Sequence, residues 1–272
     1  MITEEPEITQ PRFRPPPLKV PTKSEEVAPQ PIFAPVQAIG GKMIGAGAAG
    51  CIYFPALSCD IPAKWNQKYP KDVYAMKVQG KQDAVISHKH AQVILARLHT
   101  APLDVQRLFV PIEADLCLRV NPEQYNEFPC RQYPASEVTG QYVKYVKGER
   151  FDKFEKKQLR FPDDGKKWRV IRSIIIGVKW LHLLSIYHKD LYGRNVLIDT
   201  ENWEARILDF DSAEVGSLTT SNPHLEKNDL EMMKRMIDHL FEDATVEEER
   251  WRAIFPHRAE PLSTLLTRLP VT

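Results

Sequence analysis

From Val36 onward the chain alternates short apolar runs with turn residues, and the runs fall at 42–44, 51–54, 73–78, 109–112, 116–120 and 141–146. Runs of this length, broken by Gly, Pro, Asn and Asp, predict the strands of an antiparallel sheet. Between the third and fourth runs Ala91, Ile94, Leu95 and Leu98 recur at three- and four-residue spacing, which predicts one helix over 88–98. Such strands around a single helix would form a small lobe. The period then changes. Trp168, Ile171, Ile174, Ile175, Val178, Leu181 and Leu184 form a long stripe that predicts a central buried helix. A second stripe follows at Leu230, Met233, Met236, Ile237, Leu240 and Phe241. The expected fold class is α+β.

The first 35 residues lack such periodicity and hold nine of the chain's 22 prolines, mixed with Glu, Lys and Thr. That composition buries too little surface to offset the entropy of ordering, so 1–35 is expected to be a disordered tail. Residues 12–19, RFRPPPLK, offer a polyproline II segment for a protein partner, although no two prolines there stand in P-x-x-P spacing. With 37 basic against 36 acidic residues the chain carries no field that would attract nucleic acid or an anionic membrane. The run 43–57 is shorter than the roughly 20 apolar residues that span a bilayer. Cys51, Cys59, Cys117 and Cys130 are scattered without C-x-x-C spacing, and no early apolar segment follows a basic start. A reduced chain without a disulfide framework is expected, in the cytoplasm or nucleus.

Candidate chemistry concentrates in 186–211, IYHKDLYGRNVLIDTENWEARILDFD. Asp190 precedes Asn195 by five positions and Asp209 follows it by fourteen, around two apolar runs joined by a polar turn. A hairpin of that form returns Asp209 beside the loop that carries Asp190 and Asn195. Two carboxylates and an amide are the oxygen donors that phosphoryl transfer on ATP needs for Mg²⁺ and for the incoming hydroxyl.

His188-Lys189-Asp190-Leu191-Tyr192-Gly193-Arg194-Asn195 followed by Asp209-Phe210-Asp211 resembles the H-R-D-L-x-x-x-N and D-F-G motifs of the protein kinase superfamily. The resemblance implies a two-lobed fold, with a nucleotide-binding lobe over 36–147 and a mainly helical catalytic lobe over 148–272. It also implies roles. Asp190 would orient the acceptor hydroxyl, and Asn195 and Asp209 would hold Mg²⁺. Gly45, Gly47 and Gly50, in G-x-G-x-x-G-x-I ending at Ile52, would cover the phosphates of ATP. Lys77, in Tyr74-Ala75-Met76-Lys77-Val78, would contact those phosphates. Ala75 and Leu197 would bracket the purine, and 142–147 would be the hinge.

Several positions depart from the pattern. Lys189 stands for Arg and Asp211 for Gly, and no Glu occurs between Lys77 and Ile112 to pair the strand lysine. The spacing of Leu95 and Leu98 puts Ala91 where that acid belongs, with Gln92 beside it. Only 20 positions separate Asp209 from Asp229, the acid aligned with the start of the next buried helix, and no A-P-E motif intervenes. Such a short connection is similar to that of RIO, choline, aminoglycoside and lipopolysaccharide-sugar kinases. The chain runs 43 residues past Asp229, so the large lobe is expected to be shortened. Residues 55–72 read as an inserted loop. Three functions are compatible with the sequence: a phosphotransferase acting on a protein or small-molecule hydroxyl, a pseudokinase that binds nucleotide or partners, and an unrelated α+β protein. A structure with Lys77 far from Asp209 would favour the last.

Overall fold

The computed structural model describes residues 41–47, 50–131 and 133–240. The proline-rich stretch 1–35, residues 48 and 49 of the glycine loop, and Phe241 lie outside the described residues.

β1 (Lys42–Gly47) and β2 (Gly50–Phe54) form a hairpin with Gly47 opposite Gly50. β3 (Cys59–Ile61) and α1 (Trp65–Lys68) precede β4 (Tyr74–Gly80), which runs into α2 (Lys81–Leu98). After α3 (Leu103–Gln106) and β5 (Phe109–Val110) come β6 (Ile112–Cys117), β7 (Arg119–Val120), α4 (Pro122–Glu127) and β8 (Val138–Lys144). The small lobe is built on an antiparallel sheet in the order β1-β2-β4-β8-β6. Alternate residues divide its two faces. Cys51, Tyr53, Met76, Val78 and Tyr142 enter one core, while Ile52, Ala75 and Lys77 share the opposite face.

Three expectations change here. The segment 55–72 is not a bare loop, because β3 pairs with β7 and α1 packs Trp65 and Tyr69 onto that core. The strand expected at 109–112 divides at Pro111, which has no N–H to continue a ladder. Its first half pairs in parallel with the strand Glu204–Leu208 of the large lobe, and its second half begins β6. Finally, all four cysteines are paired, Cys51 with Cys130 and Cys59 with Cys117. The fold brings the Cα atoms to 5.7 and 5.6 Å, a juxtaposition that sequence spacing cannot reveal. The expectation of no disulfide framework is overturned, and with it the ground for a reducing compartment.

β9 (Glu149–Arg150), α5 (Phe151–Glu155) and α6 (Asp164–Leu183) open the large lobe. β10 (Ile186–Tyr187), β11 (Val196–Asp199), β12 (Glu204–Leu208), β13 (Glu214–Val215) and α7 (Pro223–Asp238) follow. Both long helices begin before their apolar stripes, since caps rather than core contacts set their first turns. Asp163 accepts from Lys166 N at 2.7 Å, and Asn222 accepts from Leu225 N at 3.3 Å with Pro223 as the first helical residue. Asp229 therefore lies inside α7, not at its start. Ile171, Ile174, Val178 and Leu181 of α6 are fully buried against β12, each stabilising by about 1.5–3 kcal/mol. No helix among the described residues is long and apolar enough to cross a membrane.

Candidate active site

α6 ends at Leu183, and the short ladder of β10 with β13 delivers the chain into the loop 188–195. Asp229, fully buried on α7, fixes the start of that loop. Its carboxylate accepts from His188 N and Lys189 N, each at 2.8 Å, and from His182 Nε2 at 3.1 Å. Lys189 is thereby held at φ +63°, a left-handed conformation that a lysine adopts only at a cost of about 1 kcal/mol. The buried His188 ring bonds the Leu208 carbonyl through Nε2 at 2.8 Å. A carbonyl only accepts, so Nε2 carries the proton. Burial holds the pKa of His188 below the usual histidine range, so the ring is a neutral strut between the loop and the residue before Asp209.

Within the loop Asn195 Nδ2 donates to the Asp190 carbonyl and to Asp190 Oδ2, both at 2.8 Å. These bonds commit the amide nitrogen and so orient Asn195 Oδ1 as the acceptor end. Arg194 Nη2 reaches both Asp190 oxygens, at 2.8 and 3.0 Å. The hairpin of β11 and β12, in register from Val196 opposite Ile207 to Asp199 opposite Glu204, then returns Asp209 to the loop as expected. Asp209 sits at φ +59°, in the left-handed region that Asp tolerates better than most residues.

From the other lobe, the buried Lys77 extends its amine to Asp209 Oδ1 at 3.1 Å and to Asp211 Oδ2 at 2.5 Å. Register places Ile52 directly across from Lys77, with Ala75 two residues away on the same face. Gly45, Gly47 and Gly50 belong to the hairpin above that strand. A Cβ at Gly50 would fall onto the Val78 carbonyl and within 2.7 Å of Gln79 Cγ, whereas Gly45 and Gly47 are open. Cys51, bridged to Cys130, and Arg131, whose guanidinium bonds the Gly47 carbonyl, tie the hairpin to the segment after α4. Leu197 is half-buried on β11, two residues past Asn195. Of the expected hinge, Tyr142 is buried in β8 and stacks on Tyr69 at 4.2 Å, so only 145–148 connects β8 to β9.

Residues 138–235 match the family model described as the Protein kinase domain. Over that region the chain is protein kinase-like. No curated protein matches it. The matched stretch runs from β8 into α7 and contains Asp190, Asn195 and Asp209, but it excludes the glycine hairpin and Lys77. The fold nevertheless brings Lys77 to 3.1 Å from Asp209, an acid 132 residues away, and the glycine hairpin pairs with the strand that carries this lysine.

The structure also relocates the helix position that faces Lys77. Ala91 is buried, and Gln92 bonds His88 Nε2 at 3.1 Å and the Ala114 carbonyl at 3.4 Å, away from the lysine. Ser87, one turn earlier, is the α2 residue that reaches the site, donating to Asp211 Oδ1 at 3.1 Å. Sequence reasoning treated Asp211 as a motif defect and gave Ser87 no role. The available signal was the coincidence of a missing helix acid with an extra acid two residues after Asp209.

Proposed function

We propose that this chain is an ATP-dependent phosphotransferase that moves the γ-phosphoryl group of ATP onto a hydroxyl acceptor. The observation that carries this reading is the 3.1 Å contact between Lys77 Nζ and Asp209 Oδ1 above the loop of Asp190 and Asn195. It supports a site in which Lys77 would serve the phosphates, Asp209 a metal and Asp190 the acceptor.

The donor set fits Mg²⁺. Asp209 offers a carboxylate with a 42% exposed side chain, and Asn195 presents an amide oxygen whose nitrogen is already committed. Among the described residues no three His, Cys, Asp or Glu side chains form a metal cage, and Mg²⁺ bound through one or two carboxylates plus substrate phosphates requires none. When bound, Mg²⁺ supplies neutralisation of the charge on the β- and γ-phosphate oxygens. Lys77 would add its positive charge to the phosphates, and the glycine hairpin would cover them, with Gly45 and Gly47 leaving room for close approach. Ile52, Ala75 and Leu197 would supply apolar contacts to the purine. Asp190 would accept the acceptor hydroxyl's proton, with Arg194 and Asn195 fixing its orientation. Positioning and charge stabilisation of this kind account for most catalysis in such transfers. The connection from Asp209 to α7 carries a single 3-10 turn at Phe210–Ser212 and the two-residue β13, which offer little platform for an extended peptide. A small alcohol or a side chain on a folded protein is the acceptor class to test first.

A second reading is a pseudokinase that binds nucleotide without transfer. It draws on Arg194, whose guanidinium occupies both oxygens of Asp190 where an acceptor hydroxyl would bond. Radiolabelled ATP with Mg²⁺ and a panel of hydroxyl acceptors separates the two readings. Transfer that disappears in Asp209→Ala supports the first. Thermal stabilisation by Mg·ATP, following RT ln(1 + [L]/Kd), without transfer to any acceptor or to water would favour the second. Unchanged turnover in Asp209→Ala would eliminate the mechanism.

A further inference from the structure

Two departures from the kinase pattern meet in space. α2 carries no Glu to pair Lys77, and the turn after Asp209 carries Asp211 where the pattern has glycine. Lys77 Nζ lies 2.5 Å from Asp211 Oδ2, closer than to Asp209 Oδ1 at 3.1 Å. The other Asp211 oxygen accepts from Ser87 Oγ at 3.1 Å, which ties the turn to α2. Gln79 Nε2 adds a long contact at 3.5 Å to Oδ2. The Asp211 side chain is 19% exposed against 42% for Asp209, so the ion pair with Asp211 is the better shielded from water.

We propose that Asp211 is the positioning residue for Lys77, supplying from the turn the negative charge that the kinase pattern places on the helix. Asp209 is then left available to metal and phosphates, because the lysine keeps a partner when Asp209 turns away from it. Ser87 completes the arrangement by coupling the turn to α2, the connection that a helix acid would otherwise make through the lysine. The inference rests on the nucleotide-site reading for its consequence in catalysis. The geometry of the pair does not.

The test is a charge relocation. Asp211→Gly writes the family's own D-F-G into the chain, and Asp211→Asn keeps the shape while removing the charge. Ser87→Glu puts an acid on the helix position that faces the site. One readout uses no nucleotide: the rate at which an amine-reactive ester acylates Lys77, followed by peptide mass spectrometry. The other is titration with a fluorescent ATP analogue and Mg²⁺. Loss of a charge-assisted bond of this kind corresponds to about a tenfold or larger change, so both Asp211 variants are expected to acylate faster and bind the analogue more weakly by about that factor. Combining Ser87→Glu with Asp211→Gly is expected to restore both readouts, while Ser87→Glu alone, which crowds a second carboxylate against Asp211, improves neither. Recovery in the double variant also separates lost pairing from lost folding. Equal acylation rates in wild type, Asp211→Asn and Asp211→Gly would overturn the proposal even if every variant binds the analogue. The expected acylation pattern in a wild-type protein that binds no analogue would leave Asp211's role standing and remove the nucleotide-site reading instead.

Discussion

Replacing Asp229 by alanine should unfold the loop 188–195 without removing any side chain of the proposed site. Asp229 is fully buried and accepts three hydrogen bonds, from His188 N and Lys189 N at 2.8 Å and from His182 Nε2 at 3.1 Å. Truncation leaves two backbone donors and one ring donor without an acceptor, and each buried unmet group costs about 1–3 kcal/mol. Relief from burying a carboxylate offsets part of that sum, so a net loss of about 3–5 kcal/mol is expected. In a folded body of this size 1 kcal/mol lowers the melting temperature by about 2–4 °C, which gives a drop of about 6–20 °C. Asp229→Asn keeps one acceptor but turns an NH₂ group toward the remaining donors, so it should fall between alanine and wild type. Urea denaturation at constant m-value and a thermal melt measure the loss, and phosphotransfer at a temperature where both proteins are folded measures loop displacement. The left-handed Lys189 adds a qualitative check, because Lys189→Gly in the Asp229→Ala background should recover part of the stability by removing the φ +63° strain. An alanine variant melting within about 2 °C of wild type would refute the reasoning, since unpairing the buried His188 N–H and the part-buried Lys189 N–H costs more than that.

The cross-links close stretches of 79 and 58 residues, and each taken alone restricts the unfolded chain by about 4 kcal/mol. Because the shorter stretch lies inside the longer one, their joint effect should be less than the sum; melts with and without reductant measure it, and a denatured, unreduced sample should contain no titratable thiol from the four cysteines. The pH dependence of stability should carry a signature of His188. Its folded pKa lies below the unfolded value near 6.5, so the unfolded chain takes up a proton that the folded chain refuses. Stability from this group is present above about pH 6.5 and is lost as pH falls, by up to about 1.4 kcal/mol per pH unit. Urea midpoints from pH 5 to 8 should therefore slope less in His188→Gln than in wild type, a difference that cancels the parallel contribution of His88, also held low by burial, and the opposing ones of Glu113 and Glu155, held high. Parallel profiles would show that His188 is not buried neutral.

The sequence by itself determined what depends on local spacing. The acids and amide of 186–211 sit at intervals that a hairpin closes, so Asp190, Asn195 and Asp209 were legible together. The apolar period of 168–184 identified α6 because a helix repeats its buried face within a few residues. Helix beginnings were less visible, since Lys81 to Ser87 and Pro223 to Asp229 are mostly polar, and their ends are set by caps and by long-range anchors instead of a core stripe. Only the tertiary structure decided the rest, because these contacts join residues far apart in the chain. Cys51 meets Cys130 and Cys59 meets Cys117 across a small-lobe core that no spacing encodes. Phe109–Val110 leaves its neighbours to pair with β12 because Pro111 interrupts the ladder and Phe109 is buried in the apolar cluster around α6. Lys77 finds Asp211, an acid in the site's own turn, 134 residues away. An isolated motif shows which charges a chain carries; the balance of two carboxylates around one buried ammonium depends on distances and shielding, and those exist only once the lobes have folded against each other.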